Sequence, residues 1–204
     1  MKKNYVDIVT VRHGNTSADD KKALEAGNAH LSEKDFSQVE ETVEKLSNMS
    51  FDYVGVGATL RMVETWDGIP NREGISSNVV YKVIECDTRL DSRTNSNGPD
   101  LWPANHDDAF LGDDAYHPRA QKILKVLTKN KLPNGGRALL VTTGAIIVPF
   151  EVIAAQVEPK NEADYFGPVY SRFAPKPAEI RCFRYCLESG ALQSVTLEEV
   201  KSSS

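Results

Sequence analysis

No part of the chain restricts its fold more than Tyr5 to Val11. This run is β-branched and apolar, broken only by Asp7, and it predicts a buried strand. It stops at Arg12-His13-Gly14, and the polar residues Asn15 to Asp20 read as a loop. Further on, Ser32 stands where a helix cap belongs. Phe36, Val39, Val43 and Leu46 then recur at helical spacing, which predicts an amphipathic helix over roughly 33–47.

The same reading continues along the chain. Phe51 to Val56 predicts a second strand ended by Gly57, Leu60 to Trp66 a short helix, and Val79 to Cys86 a third strand. Residues 88–116 keep no regular period and read as a long loop, a feature that in compact domains is usually functional or disordered. Trp102 and Phe110 lie in it, either to cap a pocket or to tether the loop. Pro118 to Leu127 returns to helical spacing. After the turn Asn134-Gly135-Gly136, Ala138 to Thr142 predicts a fourth strand. Ala145 to Val157 reads as an apolar helix that tolerates Pro149 only near its first turn. The tail from Ala178 to Val200 predicts a hairpin, with two strands around Leu187 to Gly190. Alternation of strand and helix favours an α/β fold, a three-layer α/β/α sandwich whose sheet is mostly parallel with an antiparallel edge. A chain of 204 residues suits one domain over 1–204.

Composition narrows the partners. The net charge is -5 and no Lys/Arg-rich run occurs, so nucleic acid and anionic membrane are poor first candidates. No apolar run reaches membrane-spanning length. The sparse cysteines Cys86, Cys182 and Cys186 argue against a disulfide framework and for a reducing compartment. The basic N-terminus is followed by no h-region, so a cytoplasmic location is expected, and the triplets at Asn15 and Asn48 are read as chance glycosylation matches. No metal-type Cys/His spacing is present. Asp107, Asp108, Asp113 and Asp114 lack the order of a calcium loop.

In open α/β sheets ligands bind at the carboxyl ends of strands, so the exits after Val11, Val56 and Val141 matter most. At the first, Arg12 offers a rigid fork of donors suited to phosphate oxygens. His13 can attack phosphorus through a ring nitrogen, and Gly14 lets the backbone approach a ligand closely. At the second, Arg61 follows a strand near a helix start and can clamp the same group. Taken singly, each is also what an ordinary surface turn looks like.

The blocks around these exits resemble the signature of the histidine phosphatase superfamily, the phosphoglycerate-mutase-like and acid-phosphatase-like proteins. Ile8-Val9-Thr10-Val11-Arg12-His13-Gly14-Asn15-Thr16 is similar to its apolar run, Arg-His-Gly and Thr. Leu31-Ser32-Glu33-Lys34 resembles the stretch that opens its first helix, with Asp35 where Gly is usual. In Gly57 to Thr65, Arg61 and Thr65 keep their places and Glu64 replaces Gln. Leu139 to Ala145 looks like the last block, Leu-Val-Ser/Thr-His-Gly-Gly. The resemblance implies a phosphoglycerate-mutase-like fold and a phosphomonoesterase that needs no metal or organic cofactor. His13 would take the phosphoryl group. Arg12, Gly14, Asn15, Arg61 and Thr143 would surround it, and a carboxylic acid would serve the leaving group. The substrate would be a phosphorylated small molecule or a phosphoprotein.

Two departures matter. Thr143 stands where the family carries a second His; Thr cannot bear positive charge, although its hydroxyl can bond a phosphate oxygen. His30, His106 and His117 are the alternatives for that role. For the proton donor, Asp91 is the first candidate and Glu85 the second. Thr143 leaves open a catalytically degenerate protein that only binds a phospho-ligand. A mutase ranks below both, because only the 88–116 loop is available to seal the site from water.

Overall fold

A computed structural model describes residues 4–15, 30–57, 59–69, 79–81, 116–128, 132–159 and 164–203. Its strands are β1 (Tyr5–Arg12), β2 (Tyr53–Val56), β3 (Val79–Tyr81), β4 (Arg137–Thr142), β5 (Ile180–Cys186) and β6 (Leu192–Val195). They form one sheet in the order β3-β2-β4-β1-β5-β6. β1, β4, β2 and β3 run parallel, and β5 and β6 complete the sheet as an antiparallel edge.

The apolar run that opens the chain is buried on both faces because β1 lies between β4 and β5 with helices on either side. Val9 and Val11 join a core with Leu139, Val141, Met62 and Trp66. Val6 and Ile8 point the other way, into a core with Leu140, Ile147, Phe150 and Phe183. Full burial of such side chains contributes about 1.5–3 kcal/mol each. The first core is covered by α1 (Glu33–Leu46) and α2 (Leu60–Asp67), the second by α3 (Tyr116–Val126) and α4 (Gly144–Ala154). The result is the expected three-layer α/β/α arrangement. Among the described residues no helix is long and apolar enough to cross a membrane.

The residue that interrupts β1 has its own explanation. Asp7 is 1% exposed and faces Arg184 across the β1–β5 ladder. Arg184 donates to its two carboxylate oxygens from Nε at 2.7 Å and Nη2 at 3.1 Å, and Ser203 Oγ donates at 2.8 Å. A buried carboxylate is tolerable only when satisfied in this way.

Several local expectations are corrected. Ser32 occupies the N-cap of α1 but its side chain makes no capping bond, and Phe36, counted on the inner face, is 44% exposed. Pro149 lies inside α4 beyond its first turn, where it removes the bond to the carbonyl of Ala145. That helix ends at Ala154 rather than near Val157. Gln156 takes a positive φ of 53°, and Gln156 N and Val157 N bond back to Ile153 and Val152, which is a Schellman stop. After β6 the chain does not stay extended: Leu197–Ser202 forms a helix that opens with a capping box between Thr196 and Glu199. Of the strand expected over Val79 to Cys86, only Val79–Tyr81 falls within the described residues. Cys182 and Cys186 are free thiols on one strand, and burial pushes the Cys182 thiol up to about 12.

Candidate active site

The carboxyl ends of β1, β4 and β2 are neighbours in the sheet, and the candidate residues stand on them. Arg12 pairs with Thr142 in the ladder, His13 N donates to Thr142 O at 3.0 Å, and Gly57 N donates to Val141 O at 3.0 Å. The first loop is held down by the second. Gly14 N donates to Thr65 Oγ1 at 3.2 Å, while that hydroxyl donates to Arg61 O at 2.7 Å. Thr65 lies one helical turn after Arg61, so a single hydroxyl fixes the glycine loop against the start of α2.

Each candidate side chain can now be placed. The His13 ring is partly buried, and its Nδ1 lies 2.6 Å from Gly14 O. Desolvation, the Arg61 charge and, more weakly, Arg12 lower its pKa to about 3, against a smaller opposite effect of the Gly14 carbonyl. A neutral ring that donates from Nδ1 keeps its lone pair on Nε2. Arg61, only 4% exposed, sits in the first turn of α2 behind Thr59. Arg12 donates from Nη1 to the carbonyl of Pro175. Thr143 is the N-cap residue of α4 and is 6% exposed. Asn15 is exposed at the rim, where its carbonyl accepts from Ser32 N at 3.1 Å.

Three buried polar atoms around this point have no hydrogen-bond partner among the described residues: Arg12 Nε, Thr59 Oγ1 and Thr143 Oγ1. Burying such groups unsatisfied costs about 1–3 kcal/mol apiece. Two arginines, two hydroxyls and the starts of two helices suit a small oxyanion.

The alternatives fare differently. His30 does not join His13: its ring is 74% exposed and bonds Glu64, whose other oxygen accepts from Leu31 N at 2.7 Å. Glu64 therefore braces the turn before α1. Asp91, Glu85, His106, Trp102 and Phe110 lie outside the described residues, as does the side chain of His117.

The sequence reading missed the segment from Tyr170 to Glu179. A π-helix (Tyr165–Val169) runs into the short helix α5 (Tyr170–Phe173), and the chain then passes beside the site. Glu179 O accepts from Arg12 N at 3.1 Å and Ala178 N reaches His13 O at 3.4 Å. Ala178 has a φ of 57°, and Thr42 Oγ1 donates to its carbonyl. A non-glycine residue there costs about 1–2 kcal/mol, and no glycine marks the position in the sequence. The Pro175-Lys176-Pro177 breaker was the available signal. A cavity of about 410 Å³ lies beyond this strap, lined by Lys45, Glu151, Glu179 and Arg181 among others, but not by Arg12, His13 or Arg61. Glu151 and Glu179 neutralise its Arg181, which makes it a poor oxyanion site.

The mixed sheet thus brings two arginines and an imidazole of lowered basicity to the carboxyl ends of its parallel strands. Comparison with known families is specific: residues 8–148 match the histidine phosphatase superfamily (branch 1), and the chain belongs to that superfamily. No curated protein matches it by sequence. Solved structures share its fold at low identity. A mycobacterial glucosyl-3-phosphoglycerate phosphatase is 14% identical with a TM-score of 0.61, covering 93% of this chain and 97% of its own. A phosphoglycerate mutase from Bacillus anthracis is 14% identical with a TM-score of 0.61, covering 99% and 98%. The protein histidine phosphatase SixA, in complex with tungstate, is 10% identical with a TM-score of 0.58, covering 93% and 94%.

Proposed function

We propose that the protein is a phosphomonoester hydrolase that works through a phosphohistidine at His13. The observation that carries this reading is the neutral His13 ring, held through Nδ1 by Gly14 O and flanked by the charges of Arg12 and Arg61. Nε2 attacks phosphorus as the ester P–O bond breaks, and the leaving oxygen takes a proton from a carboxylic acid. The carboxylate left behind takes a proton from water as that water attacks the phosphohistidine; the P–N bond breaks, which frees inorganic phosphate and the ring and restores the acid. Arg12, Arg61 and the Thr143 hydroxyl hold the equatorial oxygens, where charge builds up. Asp91 remains the candidate acid from sequence. The scheme calls on no metal or cofactor. The substrate class is a phosphorylated small molecule or phosphoprotein, in keeping with the glucosyl-3-phosphoglycerate phosphatase and the protein histidine phosphatase of similar fold.

A second reading rests on Thr143. With no imidazole at that position, the pocket would bind a phospho-ligand without turning it over. Hydrolysis of p-nitrophenyl phosphate by wild type, His13→Ala and Thr143→His separates the two. The hydrolase reading expects wild-type turnover that His13→Ala removes; equal rates would exclude His13 from the chemistry. An inactive wild type that gains on the order of 10²-fold from Thr143→His would favour the binding module.

A further inference from the structure

One corner of the pocket contains a residue that neither the motifs nor the proposed scheme uses. Tyr170 opens α5, and its ring packs against the cluster formed by Val148, Val152 and Val169. Its hydroxyl oxygen comes within 3.1 Å of the place a Cβ on Gly144 would take, and Arg12 Nε lies 3.7 Å from the same place. Gly144 is the first residue of α4. A methyl group at Gly144 would crowd the phenol oxygen at 3.1 Å, while the guanidinium would lie at ordinary contact distance.

Two donors beside the phenol stand without an acceptor among the described residues. Arg12 Nε and Thr143 Oγ1 are buried and have no partner among the described residues. Thr143 has the backbone geometry of an N-cap, yet its hydroxyl makes no capping bond. Ile146 N and Ile147 N bond back to Thr143 O, while the N–H groups of Gly144 and Ala145 have no intrahelical acceptor.

Building on the phosphate reading above, we infer that the Tyr170 hydroxyl donates a hydrogen bond to the bound phosphoryl group beside Thr143. It supplies from outside the motif a donor with more reach than the threonine. Burial holds its pKa above the ordinary phenol value despite the nearby Arg12 charge, so the proton stays on oxygen throughout the neutral range.

Isothermal titration of inorganic phosphate into wild type and Tyr170→Phe tests this, with thermal denaturation in parallel. The expected result is a melting temperature close to wild type and a Kd about tenfold higher, the loss of one bond to a charged group. Wild-type affinity in Tyr170→Phe would overturn the assignment and leave the phosphate reading standing. A wild type that binds no phosphate would overturn both. If Tyr170→Phe does not fold, Gly144→Ala crowds the hydroxyl, whose oxygen lies 3.1 Å from the added Cβ, while the ring stays packed. A similar loss supports the assignment, and an unchanged Kd refutes it.

Discussion

At the scale of single residues, the site is distinguished by polar groups that cost stability as they stand. Thr143 Oγ1 is desolvated and unpartnered among the described residues. Valine matches its shape without the hydroxyl, so Thr143→Val is expected to keep or raise the melting temperature while weakening phosphate binding. A variant that loses stability and keeps its affinity would assign the hydroxyl to folding instead. His13 makes a second prediction, this time of stability against pH. Its pKa of about 3 in the fold lies well below the unfolded value near 6.5. Between those values the unfolded chain binds a proton that the folded ring refuses, so stability is full above pH ~6.5 and falls as the solution is acidified. Wild type should lose about 1 to 2 kcal/mol more than His13→Asn between pH 7 and pH 5, measured by urea denaturation in the absence of phosphate. Arg12, His13, Gly14, Arg61 and Thr143 were legible in sequence because each sits in a short block at a strand exit. Tyr170 and the Pro175 carbonyl were not. They come beside Arg12 through the path of the backbone, of which the Pro175-Lys176-Pro177 breaker is the one local sign.

At the scale of elements, the centres of the helices and strands were legible and several ends were not. Continuous burial made β1, β2 and β4 plain, and helical spacing did the same for α1 and α3. The end of α4 escaped because a glutamine takes the left-handed turn that usually advertises itself with glycine. Pro149 also hid that helix's true extent, since packing on both sides compensates for the bond it removes. The last helix, α6 (Leu197–Ser202), carried its capping box in plain sight. Val195, Thr196 and Leu197 alternate apolar and polar across the end of β6, and the strand reading ran through them.

At the scale of the molecule, the two ends of the chain hold each other. Besides the Asp7–Arg184 pair, Arg137 Nη2 donates to Val200 O at 2.6 Å, so α6 is fastened to β1, β4 and β5 together. Removing one member of a buried pair leaves the other charged and unmatched. Asp7→Ala should cost about 3 kcal/mol in chemical denaturation. Because Asp7 lies roughly 20 Å along the strand from His13, phosphate affinity measured well below the melting temperature should not change; a parallel loss of affinity would show that the two ends of β1 are coupled. The strap that bonds Arg12 and His13 consists of residues 174–179, and that has a consequence for how the protein is made. On the ribosome His13 emerges before the wall behind it, which arrives more than 150 residues later. At ordinary translation speeds that interval is on the order of ten seconds. Throughout it Arg12 and His13 lack the carbonyls and the amide that the strap offers them, and they gain these bonds only when a late-made stretch of chain closes against them.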